Sequence, residues 1–172
     1  MTLALVIDHW PVDSIRDIDA GVFDSGPWDE KRVTVEGAQL SLNDIEHRIL
    51  RPIWHDGMTH YGVNCASISC PSLRASAYTG ADVADALAAN ARAYVASPQG
   101  ARTLGGRLVV SKIYQWYGAD FGGPAGVLKH LARLAPADKA KAIATHDTID
   151  GYVYDWSINS PANVEKTRAN DN

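Results

Sequence analysis

The chain has 172 residues, of which 46% are hydrophobic and 21% charged, with a formal net charge of −4. That length can bury roughly 70% of its unfolded surface in one domain without disulfide or metal staples. Its Lys and Arg residues are not clustered, which argues against a nucleic-acid or polybasic membrane surface, and no apolar run is long enough to span a bilayer.

In chain order, residues 3–10 read as a helix stopped by Pro11, and residues 11–18 as a turn and a short helix. The opening run is too short, and lacks the basic start, to be a signal peptide. Export is therefore expected only from a longer precursor, and a cytoplasmic location otherwise. A Gly/Pro/Asp-rich loop is expected over 21–29. Two strand-like runs, 31–35 and 38–40, flank Glu36-Gly37 and predict a hairpin.

Residues 41–71 concentrate the chemistry. Ser41 followed by Asp44 has the spacing of a capping box, so a helix should start there, and Arg51-Pro52 should end it. Projected at about 100° per residue, Leu42, Ile45, Ile49 and Leu50 form one apolar stripe, and Glu46 falls inside it. A carboxylate turned toward a core is costly unless it is paired, hydrogen-bonded or bound to a cation. Residues 60–65 read as a short buried strand or turn. Residues 65–69 should open a helical turn, whose unpaired N–H groups would favour a Cys65 thiolate.

The clearest helical pattern covers 81–96, capped by Thr79 with Asp82 three residues on, and turns Val83, Leu87, Ala91 and Tyr94 inward. Asn90 lies in that stripe and either satisfies a backbone group, the commoner use, or binds a ligand. A second hairpin is expected from 101–104 and 107–110 about Gly105-Gly106, with Ser111 capping the helix after it. Ile113, Trp116, Tyr117 and Phe121 share one side and read as core, while Asp120 beside them is ambiguous. Pro124 opens a helix over 125–134, residues 138–144 form a shorter one, and 149–156 alternate as a strand. Beyond Ser160 the chain is polar without apolar periodicity. The expected architecture is one α+β domain over 1–159, a helical body with two β-hairpins and a C-terminal strand, and a disordered tail over 160–172.

Several of these motifs occur together in a known family. Pro11-Val-Asp-Ser-Ile-Arg-Asp-Ile18, Leu40-Ser-Leu-Asn-Asp-Ile-Glu-His47 with Leu50-Arg-Pro52, and His60-Tyr-Gly-Val-Asn-Cys-Ala-Ser-Ile-Ser-Cys-Pro71 are three of them. Leu108 to Tyr117, Asp120-Phe121 and Tyr154 to Asn159 continue the series. In this combination the chain resembles the family called domain of unknown function 547 (DUF547), found in bacteria and in plants. The resemblance implies no established activity and no agreed catalytic residues. It does imply a further aromatic- and asparagine-containing segment ahead of Leu3, so an N-terminal element is expected to be missing.

The leading functional reading is a thiol-dependent hydrolase or transferase acting on a small molecule or a peptide. Cys65 would be the nucleophile, His60 or His47 its base, and Glu46 the acid that orients the base. Papain-like enzymes place the histidine after the cysteine, and the later histidines here are His130, on a helix whose inward positions are leucines, and His146, in a loop. His55, His60, Cys65 and Cys70 recur every five residues, wider than paired zinc-finger ligands, so no metal and no cofactor are assigned. A structural account makes Cys65 and Cys70 buried thiols or a disulfide, with His60 and Glu46 paired to each other or to Arg16. The alternative from another class is a non-catalytic domain binding a ligand or peptide, its groove lined from five Trp and seven Tyr, with Asn90 and Asp155 fixing orientation.

Overall fold

A computed structural model describes residues 1–18 and 26–170, so residues 21–25 of the expected loop lie outside the described residues. Along the chain run α1 (Thr2–Asp8), β1 (Val33–Val35), β2 (Ala38–Leu40), α2 (Arg51–Trp54) and α3 (Val83–Ala96). They are followed by β3 (Ala101–Leu104), β4 (Arg107–Ser111), α4 (Ile113–Trp116), α5 (Gly123–Leu134), α6 (Ala137–Ala144), β5 (Gly151–Val153) and α7 (Pro161–Asn170). The fold is α+β, as the alternation of hairpin and helix signals predicts. The chain divides into two compact units, one made of residues 1–53, 64–70 and 155–172, the other of 54–63 and 71–154.

In the first unit, Leu5 of α1 packs with Ile15 and Ile18, and Val12, Trp28, Leu42 and Trp156 close around them. The Arg16 guanidinium lies over the Trp156 ring at 5.2 Å. β1 and β2 pair antiparallel, with Val33 opposite Leu40. Glu36 (φ 49°) and Gly37 (φ 82°) are both left-handed, which is what a two-residue hairpin turn of the right twist demands.

Ser41 and Asp44 cap as their spacing predicts. The Ser41 N–H donates to Asp44 Oδ2 at 2.8 Å, and the Asp44 N–H donates to Ser41 Oγ at 3.1 Å. The helix they open is not a regular one. Asp44–Leu50 is π-helical, the Arg51 N–H reaching back to the Glu46 carbonyl, and the α-helical α2 follows. A wider turn breaks the angular projection that set Glu46 in the apolar stripe. The buried carboxylate is Asp44, while Glu46 is half-buried and His47 exposed. Asp44 is ion-paired with Lys31 and with Arg48, and the Lys31 ammonium and Ser41 amide hold its carboxyl well below the usual range. Pro52 does not end the helix: it is the second residue of α2, which continues directly from the π-helical turn.

The disordered tail expected over 160–172 is corrected over residues 161–170, which form α7, while 171–172 lie outside the described residues. Ser160 Oγ accepts the Asn163 N–H at 3.4 Å, and Pro161 occupies the first helical position, a cap-and-proline start that the polar composition hides.

In the second unit, β3 and β4 pair antiparallel, Ala101 opposite Val110, across the left-handed Gly105-Gly106 turn. The last strand joins them in parallel, Val110 opposite Tyr152, so α4, α5 and α6 form the crossover that a parallel pair requires. Only three residues of the expected 149–156 strand pair in this way. Val127, Leu131 and Leu134 of α5 pack with Ala91, Tyr94 and Val95 of α3 and with Leu108 and Val110 of the sheet. Asn90 takes the commoner of its two predicted roles: its Nδ2 donates to the Tyr61 carbonyl at 2.6 Å and to the Ser72 carbonyl at 3.0 Å.

The C-terminal end of α3 is closed by a side chain from α6. Lys139 Nζ donates to the carbonyls of Val95 (3.1 Å), Ala96 (2.7 Å), Ser97 (3.3 Å) and Ala101 (2.8 Å). Burial lowers the Lys139 pKa, while four carbonyl dipoles and the negative end of α3 favour the charged form. Lys139→Met keeps the stem and strands those carbonyls. A loss of about 2–3 kcal/mol is expected, read as a lower urea midpoint at unchanged slope.

Candidate functional site

The short 3-10 turn Gly57–Tyr61 starts at Asp56, whose side chain accepts the Met58 N–H at 2.9 Å. It presents two consecutive side chains to the interior of the second unit. A Cβ on Gly57 would lie 2.5 Å from the Phe121 ring, so the turn seats against Phe121 only with glycine there. His60 is 2% exposed, and its Nε2 lies 2.8 Å from Asp120 Oδ2. Asp120 belongs to the 3-10 turn Gly118–Phe121. The imidazole stacks on Tyr117, ring centroids 4.0 Å apart and planes 21° from parallel, and Phe121 borders it at 5.7 Å. An imidazole bonded to a carboxylate and clamped between aromatic rings has its tautomer and its orientation fixed.

Tyr61, the next residue, anchors a second polar cluster. Its hydroxyl lies 3.0 Å from the Tyr114 hydroxyl and 2.8 Å from His130 Nε2. Burial raises both phenol pKa values and pushes His130 down to about 4, so the Tyr61 hydroxyl donates to a neutral His130 imidazole near pH 7. His130 was expected on a helix with leucines inward. It is half-buried beside Phe121, with ring centroids 4.9 Å apart.

This has a pH consequence. The folded value of about 4 lies below the ordinary 6.5, so the unfolded chain binds the proton more readily. The His130 contribution is complete above pH 6.5 and drains away as pH falls toward 4. Urea midpoints measured across that window should fall less in His130→Gln than in the unmutated protein.

Cys65 lies in the first unit, on a loop stitched to residues 155–159. Ile68 N–H donates to Ser157 O (2.9 Å), Asn159 N–H to Ala66 O (2.8 Å) and Asp155 N–H to Ser69 Oγ (2.8 Å), and Ser67 bridges Ile158. The helical turn expected over 65–69 does not form, because those backbone groups pair with 155–159 instead. The dipole expected from that turn therefore does not favour a Cys65 thiolate. Ala66 carries φ 62°, a left-handed conformation unfavourable for a residue with a Cβ, and its N–H is held by Asn64 Oδ1 at 2.7 Å. Cys65 Sγ lies 3.3 Å from Ser67 Oγ, and Cys70 Sγ accepts the Cys65 N–H at 3.0 Å. Both cysteines are half-buried thiols, not joined in a disulfide.

Glu46 and His47 also belong to the first unit, on the π-helical turn. Arg51 Nη1 lies 3.1 Å from His47 Nδ1, and because a guanidinium can only donate, that nitrogen is an acceptor. The carboxylate bonded to His60 is Asp120, which the sequence left ambiguous. The signal available was its place beside the Tyr117 and Phe121 stripe. Among the described residues, no group of three or more His, Cys, Asp or Glu side chains is arranged to hold a metal, and no helix is long and apolar enough to cross a membrane.

A family model described as "Protein of unknown function, DUF547" matches residues 1–95, more than half of the 172-residue chain. The chain belongs to the DUF547 family. No curated protein matches it, and no solved structure does. The DUF547 match takes in Glu46, His47, His60 and Cys65, whereas Asp120, Tyr117 and His130 lie beyond it. Only the first part of the imidazole–carboxylate pair is therefore covered by the DUF547 match.

Proposed function

We propose that this DUF547 domain is a thiol-dependent hydrolase or transferase acting on a small molecule or a peptide. Cys65 is the nucleophile, His60 its base, and Asp120 the carboxylate that orients His60. The observation that carries the reading is the 2.8 Å hydrogen bond between buried His60 and half-buried Asp120. With Nε2 directed to Asp120, Nδ1 is the nitrogen that takes the thiol proton, and the carboxylate stabilises the imidazolium so formed. The strained Cys65 loop, stitched to residues 155–159, is a further support, since a nucleophile acts best from a rigid platform. His47 stays in the reading as the alternative base, with Glu46 as the acid that would orient it.

In this scheme the Cys65 thiolate adds to an acyl carbonyl, and the leaving group departs with the proton held by His60. Water or an acceptor amine or alcohol then releases the acyl group. p-Nitrophenyl acetate tests it. A burst of p-nitrophenolate and one acetyl group mapped to Cys65 are expected, both absent in Cys65→Ser. Acetylation elsewhere, or an equal burst from Cys65→Ser, contradicts the reading. The non-catalytic binding domain predicts no burst at all.

A further inference from the structure

We propose that Cys70 is the resolving thiol of Cys65, so that a hydroperoxide switches the pair reversibly from dithiol to disulfide. The inference rests on the reading of Cys65 as a reactive thiol and adds its regulation. The geometry that points to it is a single tight turn. The Cys70 N–H donates to the Ser67 carbonyl at 3.1 Å, which folds the chain back until Cys70 Sγ accepts the Cys65 N–H at 3.0 Å. One sulfur is thus hydrogen-bonded to the residue that bears the other, within one unit and one loop. Ser67 Oγ, 3.3 Å from Cys65 Sγ, supplies a hydroxyl to steady that sulfur as a thiolate.

A permanent staple is the competing account, and two features disfavour it. Both sulfurs are thiols in a loop already closed by the Ile68–Ser157 and Asn159–Ala66 hydrogen bonds, so its shape needs no S–S bond. A bridge across so short a stretch also constrains the unfolded chain little. A bond that the fold does not need is one that can open and close.

The chemistry balances with a hydroperoxide as oxidant. The Cys65 thiolate attacks the terminal peroxide oxygen, the O–O bond breaks, and the departing oxygen leaves as an alcohol or water after taking a proton. Cys65 is now a sulfenic acid. The Cys70 thiolate attacks its sulfur, the S–O bond breaks, and hydroxide leaves as water. Two thiols have lost two electrons and the peroxide has gained them. An external thiol reverses the step by exchange.

Treating the full chain with hydrogen peroxide, then with iodoacetamide, and measuring intact mass and peptide maps tests this. In the unmutated protein both cysteines should lose alkylation together, the chain should lose the mass of two hydrogens, and dithiothreitol should restore both sites. Cys70→Ser should instead hold Cys65 as a sulfenic acid trappable by dimedone, passing with excess peroxide to a form dithiothreitol does not restore. Cys65 oxidised to sulfinic acid in the unmutated protein while Cys70 still alkylates overturns the proposal. That arm needs no variant to fold. The ester experiment separates the two ideas. A protein that forms the disulfide but takes no acetyl group keeps the Cys65–Cys70 exchange and loses the catalytic reading.

Discussion

Tyr114→Ala should lower the unfolding free energy by about 3–5 kcal/mol, as truncation of a fully buried aromatic side chain does. Tyr114 is 1% exposed, packs edge-on against Phe121 at 5.2 Å, and shares its hydroxyl with Tyr61. The truncation removes the ring from the core of the second unit and leaves the Tyr61 hydroxyl with His130 alone among the partners described above. Tyr114→Phe isolates the hydroxyl, and about 1 kcal/mol is the expected cost. Urea unfolding of both variants checks the division. Equal losses would mean that the hydrogen bond, and not the packed ring, carries the stability.

Asp120→Asn should slow acylation of Cys65 by p-nitrophenyl acetate about 100-fold or more while changing the urea midpoint little. The amide has nearly the shape of the carboxylate, so Tyr117 and Phe121 keep their packing. What is lost is the charge that stabilises an imidazolium and selects the tautomer, the part of such a pair on which proton transfer depends. The split between rate and stability is the informative readout. A rate within about twofold of the unmutated protein would remove Asp120 from the proposed mechanism.

Local signals in the sequence were legible because their physics is local. Glu36-Gly37 and Gly105-Gly106 both turn hairpins, since left-handed backbone at two adjacent positions leaves few other choices. Ser41 with Asp44 caps reciprocally. Thr79 is an exception: it does not cap α3, because the Asp82 carboxylate accepts its N–H and hydroxyl, both at 2.8 Å, and Asp82 itself precedes the helix, which begins two residues later than its pattern predicts. Asn90 bonds to backbone carbonyls, the role favoured for an amide in an apolar stripe.

What was not legible came from tertiary pairing or departures from ideal helical geometry. His60 and Asp120 are 60 residues apart, and no periodicity records their hydrogen bond. His130 joins Tyr61 across 69 residues, so its position among leucines hid its role. The π-helical turn at Asp44–Leu50 defeats a projection that assumes ideal geometry, so that Asp44 and not Glu46 is the buried carboxylate. The Cys65 loop carries a helix-start pattern, but its pairing partners, residues 155–159, lie far along the chain and decide its structure.

The proposed catalysis turns on whether the imidazole held by Asp120 makes the Cys65 sulfur acidic. The rate of Cys65 alkylation by iodoacetamide against pH, in the unmutated protein and in His60→Gln, measures this directly. An apparent pKa clearly below the ordinary value of about 8.5, rising toward it when His60 is replaced, is the predicted result. A value at or above about 8.5 that His60→Gln leaves unchanged would contradict the account.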